Sequence, residues 1–163
     1  PAIVIECLNG YRLKERLPHN MGEYTVALGK PEILQQGQDV TIVTYGSMCR
    51  IVMEAAAELA EIGISVEVID VQTLLPFDIH HKIVASLKKT SRILFVDEDV
   101  PGGATSFMFS EVMDKQGGYR WLDAAPRILC SQSHRPAYGS DGDYFSKPNT
   151  EDIITLVENM MAE

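Results

Sequence analysis

The sequence predicts an α/β domain with a five-stranded sheet and helices on both faces. Two observations support this fold class. The apolar run Val40–Thr44 stops at Gly46 and is followed by the helical pattern Cys49–Ile62, which together indicate a strand, a tight turn and a helix. The same alternation then recurs to the end of the chain, and repeated strand–helix units favour a parallel sheet with right-handed crossovers.

The elements follow in order along the chain. The predicted strands are Ala2–Cys7, Val40–Thr44, Ser65–Asp70, Arg92–Asp97 and Arg127–Cys130, and the predicted helices are Cys49–Ile62, Asp78–Lys88, Thr105–Lys115 and Thr150–Met161. Asp78 is a good N-cap for the second helix. Glu151 and Asp152 lie in the first turn of the last helix, where carboxylates complement the helix dipole.

The turn after Val40–Thr44 is the first candidate site. Gly46 permits a backbone turn with positive φ, and Ser47 is a good helix N-cap. A phosphate or carboxylate would be attracted there, because free N–H groups and the positive end of the helix dipole converge at the turn. The alternative is that the junction binds nothing, as most such junctions do.

The N-terminal quarter of the chain has no clear period. Ala2–Cys7 is the expected first strand, and residues 8–38 are expected to form a long irregular loop that covers something or belongs to an interface. Because this strand joins the rest across the loop, it is free to run antiparallel. Residues 1–163 are expected to be one domain, and the start inside a strand without a Met suggests a segment of a longer protein.

Composition restricts the function classes. With 163 residues, 45% hydrophobic and 23% charged, the chain suits one globular domain. The net charge of -9 argues against non-specific binding to nucleic acid or anionic membranes and favours basic partners. Cys7, Cys49 and Cys130 are widely spaced and odd in number, which favours reduced thiols.

Acidic and glycine residues meet after the fourth predicted strand. Asp97, Glu98 and Asp99 end this strand, and Gly102 and Gly103 lead into the next helix. They lie at the carboxyl edge of the sheet, where α/β proteins bind ligands. The acids could hold a cation or have a raised pKa, but we favour a structural or interface role, since alternate residues of an extended chain face opposite ways. No G-x-G-x-x-G follows a strand, which argues against a nicotinamide- or flavin-binding domain.

A polar loop follows the last strand. His134 and Arg135 could meet an anion or a partner's acids, although no nucleophile with a matching base is evident. The adjacent histidines His80 and His81 cannot grip one metal as a helical pair. The run after Asp141 lacks the ligand and glycine positions of a calcium loop.

Several runs together resemble a known family. They are Leu28–Lys30, Asp39–Gly46, Gly63–Pro76 with Asp78, and Leu122–Arg127. They resemble the C-terminal domain of the transketolase family, and within it the beta subunit, or beta half, of the thiamine-diphosphate-dependent decarboxylating component of 2-oxo-acid dehydrogenase complexes. The resemblance implies a three-layer α/β/α domain with a five-stranded mixed sheet whose first strand is antiparallel.

The resemblance also implies a function for the parent protein. That protein would decarboxylate a 2-oxo acid on thiamine diphosphate with Mg²⁺ and acylate lipoyl groups, with a branched-chain substrate slightly favoured over pyruvate. The family's cofactor motifs are missing here, so no catalytic, cofactor-binding or metal residue is expected in this segment. Its implied role is dimerisation of beta subunits and docking to the alpha subunit or half and to the peripheral-subunit-binding domain of the acyltransferase core. The location would be the bacterial cytoplasm or, in a eukaryote, the mitochondrial matrix.

One stretch departs from the family pattern. The family commonly has Asp-x-Pro-x-Pro before the aromatic residue that corresponds to Tyr138, whereas this chain has Ser133–Ala137 there. Residues 139–148 also differ, which suggests a variant with fused alpha and beta halves. The positions proposed for anion or interface contacts are Gly46, Ser47, Glu98, Gly102, Gly103, His134, Arg135 and Tyr138. Two alternatives stay open: a stand-alone anion-binding regulatory domain, and another transketolase-like enzyme in which Arg135 binds a substrate phosphate.

Overall fold

The computed structural model describes residues 1–4, 8–135 and 142–163 and contains one five-stranded sheet. The strands are β1 (Glu32–Gln35), β2 (Val40–Thr44), β3 (Val66–Asp70), β4 (Ile93–Val96) and β5 (Arg127–Leu129). Their order across the sheet is β1-β3-β2-β4-β5. Strand β1 pairs antiparallel with β3, and the other pairs are parallel. The mixed sheet with an antiparallel first strand is therefore confirmed.

Helices cover both faces of this sheet. They are α1 (Met48–Glu61), α2 (Lys82–Thr90), α3 (Ala104–Ser110), α4 (Gly142–Ser146) and α5 (Thr150–Met161), with 3-10 turns at Leu8–Arg12 and Gly118–Trp121 and a π turn at Glu111–Lys115. On one face α1 and α5 bury Leu59 and Ile153 against Ile42 and Val68. On the other, α2 and α3 pack against the opposite side chains of the same strands. The result is three layers with a core on each side of the sheet.

The location of the first strand differs from the prediction. Residues 2–4 are not in a strand, and 5–7 lie outside the described residues, whereas β1 lies inside the stretch 8–38 that was expected to be irregular. The pairing partner explains this, because β1 uses the free edge of β3, with Ile33 opposite Ile69. Such a distant partner leaves no local signal in a four-residue strand.

A close backbone approach follows β1. A Cβ on Gly37 would lie 2.1 Å from the backbone N of Glu67, so this position requires glycine. The Gly37 amide donates to the Glu67 carboxylate at 3.2 Å, and Lys89 forms an ion pair with the same carboxylate. The buried Glu67 thereby holds the connection between β1 and β2 at the amino edge of the sheet.

Side chains cap the starts of α2 and α5, and the Asp78 cap was predicted, although the N-cap position of α2 is His81. The Asp78 carboxylate accepts the backbone N–H groups of Lys82 at 2.8 Å and Ile83 at 2.9 Å, although α2 begins four residues later than predicted. Helix α5 begins at Thr150 as predicted, and its cap is a reciprocal pair between Asn149 and Asp152. No helix in the described ranges combines the length and the apolar character needed to cross a bilayer.

Candidate functional site at the carboxyl edge of the sheet

The turn between β2 and α1 has the predicted glycine conformation. Gly46 has φ +62, and a Cβ there would meet nothing within 4 Å, so the requirement is conformational rather than steric. Ser47 occupies the N-cap position of α1 as expected, but its side chain makes no hydrogen bond to the helix. Its φ of -61 and ψ of -28 are helical rather than the extended values that aim an N-cap oxygen at the first-turn N–H groups, and its hydroxyl donates to Glu98 Oε1 at 3.1 Å.

Glu98 connects three elements at this edge. Its Oε1 accepts from Ser47, and its Oε2 accepts from Lys147 Nζ at 2.9 Å. Its backbone carbonyl accepts from the Ser131 hydroxyl after β5. The Glu98 carboxylate therefore lies next to the start of α1, where the sequence predicted that an external anion could bind.

A second carboxylate lies on the other face of the strand end. Asp97 is 2% exposed and accepts from the Tyr45 hydroxyl at 2.8 Å and from the Glu98 backbone N–H at 2.8 Å. Burial raises the pKa of Asp97, and the neighbouring charges of Asp99 and Glu98 add to this, while the hydrogen bonds oppose it. Burial and the bond to Asp97 likewise raise the pKa of Tyr45. Asp97 thus ties β4 to the turn after β2.

These elements border a cleft of about 580 Å³. Of the predicted positions, Gly46, Ser47 and Glu98 line it. Its other lining residues come from the segment before β1, from the first turn of α1, from α4 and from the residues just before α5. They are Gly10, Leu13, Glu15, Met48, Cys49, Arg50, Ile51, Tyr144, Lys147, Pro148 and Asn149. The lining is mixed, with apolar walls and charged groups of both signs.

The cleft does not fit a diphosphate or its metal ion. The Ser47 hydroxyl is bonded to Glu98, and the two carboxylates that line the cleft are those of Glu98 and Glu15. A dianion would be repelled by these carboxylates. Within the described part of the chain, no three His, Cys, Asp or Glu side chains are grouped to hold a metal ion.

The thiol in this cleft is held protonated. Burial first, and then the neighbouring Asp70 carboxylate, raise the pKa of Cys49 to about 12. The thiolate is the nucleophilic form, and it is scarce at neutral pH when the pKa is this high. Cys49 is therefore unsuited to nucleophilic catalysis here.

The two glycines before α3 have a structural role. Gly102 has φ +93, and a Cβ on Gly103 would lie 2.1 Å from Asp99 Oδ2. The other oxygen of Asp99 accepts the Val100 backbone N–H at 2.7 Å. The packing of Asp99 explains Gly103, whereas Gly102 is required by its positive φ, and neither glycine lines the cleft.

The described residues of the polar loop directly after β5, His134 and Arg135, do not line the cleft. His134 lines a separate cavity of about 120 Å³ beside Glu98 and Asp99, and its Nδ1 lies 3.0 Å from the Arg135 carbonyl oxygen. Arg135 is exposed and does not line the cleft. Tyr138 lies outside the described residues. The structure thus brings together Gly46, Ser47 and Glu98 and leaves the remaining described candidates apart from the cleft.

Two site residues were missed in the sequence. Lys147 lies two residues before the Asn149 cap of α5, and Tyr45 precedes Gly46 directly. A lysine close to a helix start is unfavourable for the dipole unless a carboxylate lies nearby, and this was the available signal. For Tyr45, strand alternation places its side chain on the same face of the sheet as Val43, away from α1.

The sequence matches one protein family and is similar to beta subunits of one enzyme component. The model of the family described as "Transketolase, C-terminal domain" matches residues 29–152. The chain is 35% identical over 161 residues to pyruvate dehydrogenase E1 component subunit beta-4, chloroplastic, of Oryza sativa subsp. japonica, which covers 98% of this chain and 39% of that protein. It is 35% identical over 162 residues to pyruvate dehydrogenase E1 component subunit beta of Mesostigma viride, covering 99% and 48%. The Staphylococcus aureus (strain Mu50) subunit beta is 42% identical over 99 residues, covering 60% and 30%.

Solved structures agree on the fold. A split-gene transketolase, described as an inactive beta4 tetramer, superposes with a TM-score of 0.68 at 24% identity, covering 86% of this chain and 44% of that one. A 2-oxoglutarate:ferredoxin oxidoreductase from Magnetococcus marinus gives 0.54 at 17% identity, covering 86% and 20%. The chain spans less than half the length of these curated relatives and solved chains.

Proposed function

Because this chain belongs to the transketolase C-terminal domain family, we propose that it is the C-terminal domain of the beta subunit, or beta half, of a 2-oxo-acid dehydrogenase decarboxylating component. The observation that carries the proposal is the similarity to pyruvate dehydrogenase E1 beta subunits over 98–99% of the chain. The parent protein would be the thiamine-diphosphate-dependent enzyme. The present chain would be the smaller part of it.

In this proposal the domain contributes assembly rather than chemistry. Support comes from the cleft, where Glu98 is bonded to Ser47 and Lys147 and the Cys49 thiol is held protonated. Thiamine diphosphate and Mg²⁺ would bind elsewhere in the parent protein, since the carboxylates at the carboxyl edge do not suit a diphosphate. The partners would be a second beta subunit, the alpha subunit or half, and the peripheral-subunit-binding domain of the acyltransferase core. The net charge of -9 favours a basic docking partner.

The substrate proposed for the parent is a 2-oxo acid. The relatives named above are pyruvate dehydrogenase subunits, which supports pyruvate. The slight preference for a branched-chain 2-oxo acid stays a prediction without support from these relatives. Location follows from the complex, in the bacterial cytoplasm or in the organelle that holds the complex in a eukaryote.

The test uses the parent chain with its alpha partner. We expect decarboxylation of a 2-oxo acid with an artificial electron acceptor, dependent on added thiamine diphosphate and Mg²⁺. Pyruvate and 3-methyl-2-oxobutanoate compared at equal concentration decide the substrate. Absence of cofactor-dependent turnover with either acid, in a folded and assembled sample, would contradict the proposal.

The 163-residue chain tests the assigned role directly. Calorimetry with thiamine diphosphate and Mg²⁺ should show no saturable heat, and sedimentation should show a dimer. Saturable binding would refute the assignment of cofactor binding to other parts of the parent. A strict monomer at high concentration would contradict dimerisation through this domain.

The two alternative functions have less support. A regulatory anion at Gly46 and Ser47 would have to displace the Glu98 carboxylate from the Ser47 hydroxyl. A phosphate titration followed by NMR would support that alternative only if it produced saturable shifts at these two residues. Phosphate binding by Arg135 in another transketolase-like enzyme gains no support from the cleft described above, since Arg135 does not line it.

A further inference from the structure

The segment that precedes β1 is rich in exposed apolar side chains. We call residues 10–28 the arm. Seven of its nineteen residues are exposed large apolar residues, compared with ten in all the described residues from 30 onward. They are Tyr11, Leu13, Leu17, Met21, Tyr24, Val26 and Leu28. Single exposed apolar residues are ordinary, but such a concentration marks an interaction surface.

The C-terminal end of the arm is attached to the domain through Gly29. Its backbone hydrogen bonds join near neighbours, such as Leu13 N–H to Gly10 C=O at 3.1 Å and Met21 N–H to Pro18 C=O at 3.3 Å. Gly29 then fastens the chain, since its N–H donates to Thr73 Oγ1 at 2.6 Å and its carbonyl accepts from Ile79 N–H at 3.0 Å. The position of the arm's C-terminal end is therefore fixed relative to the sheet. Near its other end Gly10, Leu13 and Glu15 line the cleft, and all seven apolar side chains are at least 46% exposed.

The comparisons separate the arm from the family domain. The family match begins at residue 29, immediately after the arm. The alignments with the pyruvate dehydrogenase beta subunits cover 98–99% of the chain and therefore include it. The arm therefore lies outside the matched family domain but within the stretch that aligns with those longer proteins.

We propose that the arm is an intramolecular docking segment whose apolar side chains are covered by the part of the parent chain that precedes it. This inference rests on the proposed function, because it takes the parent to be as long as its relatives, of which this chain spans 39% and 48%. The preceding part is covalently continuous with the arm, so its effective concentration there exceeds that of a separate subunit. Burying these side chains supplies the hydrophobic free energy for the contact.

Hydrogen exchange measured by mass spectrometry tests which part of the protein covers the arm. Three samples are compared: the 163-residue chain, the parent chain alone, and the parent chain with its alpha partner. We expect the arm's amides to exchange on the order of 100-fold more slowly in the parent chain alone than in the 163-residue chain. Amides of α1 should be protected in all three samples.

Each other outcome overturns the proposal. Protection that first appears when the alpha partner is added would assign the arm to the subunit interface. Protection that rises with the concentration of the 163-residue chain would assign it to a second copy. Equal exchange in all samples would show that the preceding part of the parent chain does not cover the arm.

A pair of variants at one arm position provides the control. Leu17 is 78% exposed, so Leu17→Asp and Leu17→Met should both leave the thermal midpoint of the 163-residue chain unchanged. In the parent chain, Leu17→Asp should increase the exchange rate of the arm's amides at least tenfold. Leu17→Met should leave this rate unchanged. Equal protection in both parent variants would contradict an apolar contact at this position. The result is separable from the proposed function, which fails on cofactor-dependent turnover rather than on exchange.

Discussion

The hydrogen bond between Tyr45 and Asp97 offers a quantitative test of how the carboxyl edge is held together. Tyr45→Phe removes the hydroxyl that lies 2.8 Å from Asp97 Oδ2 and leaves the ring in place. A hydrogen bond to a charged group contributes about 1.5–3 kcal/mol to stability. We use the lower end of this range for the Tyr45–Asp97 bond because Tyr45 is half-buried. For 163 residues the entropy of unfolding is roughly 0.34 kcal/mol/K, so a loss of about 1.5 kcal/mol lowers the midpoint by about 4 °C.

The effect should depend on pH. Because the pKa of Asp97 is raised in the folded state, the folded chain binds more protons than the unfolded chain between the two pKa values, and stability falls as pH rises through that window. The Tyr45 hydroxyl opposes this by favouring the ionised form. The difference between the wild type and Tyr45→Phe is therefore largest above the folded pKa of Asp97 and shrinks as pH falls through it.

Urea unfolding at a series of pH values measures this difference. Tyr119→Phe is the matched control, since Tyr119 is exposed, and its effect should stay within about 0.5 kcal/mol. In the Asp97→Asn background, Tyr45→Phe should cost less, because its acceptor is no longer charged. A pH-independent loss, or the same loss in both backgrounds, would refute the assignment of the stabilisation to this charged pair.

Three further predictions concern stability and reactivity. Asn149→Ala removes the reciprocal cap of α5 and should cost about 1 kcal/mol, or about 3 °C in thermal unfolding, while Asn149→Ser should recover most of it. Leu59→Ala should cost about 2–5 kcal/mol in urea unfolding because Leu59 is fully buried between α1 and the sheet; a loss under 1 kcal/mol would contradict that packing. With its pKa raised to about 12, Cys49 should be alkylated by iodoacetamide at pH 8 about a thousandfold more slowly in the folded chain than in guanidinium. Asp70→Asn should raise the folded rate, read by peptide mass spectrometry, and an unchanged rate would exclude Asp70 as a cause.

Local signals made part of the fold predictable. The bounds of α5 are those predicted, because Asn149 to Asp152 carry both the cap and the first-turn acids in adjacent residues. The strand β2 was equally clear, since five consecutive residues are buried on both faces. By contrast, β1 depends on pairing with β3 more than thirty residues away, and the more apolar run Ala2–Cys7 competed for the same assignment.

The location of the candidate site could be predicted from the sequence, but the hydrogen-bond partners within it could not. Strand ends and glycine turns located the carboxyl edge, and Gly46, Ser47 and Glu98 do line its cleft. The contact of Ser47 with Glu98 joins residues 51 apart, and that of Lys147 with Glu98 joins residues 49 apart. Sequence spacing within one element carries no information about such contacts, so Ser47 was expected to cap its own helix.

The carboxyl edge and the arm differ in the free energy that each has available for binding. At the edge, the donors Ser47 and Lys147 are bonded to Glu98, so a ligand there must first break contacts that the domain already makes. On the arm, half-burial of the exposed side chains of Leu17, Met21 and Leu28 would contribute about 2–4 kcal/mol of hydrophobic free energy. That gain is a substantial fraction of the roughly 5–15 kcal/mol that stabilises a whole domain. The arm therefore offers apolar surface for burial, whereas a ligand at the edge must first offset the loss of existing hydrogen bonds.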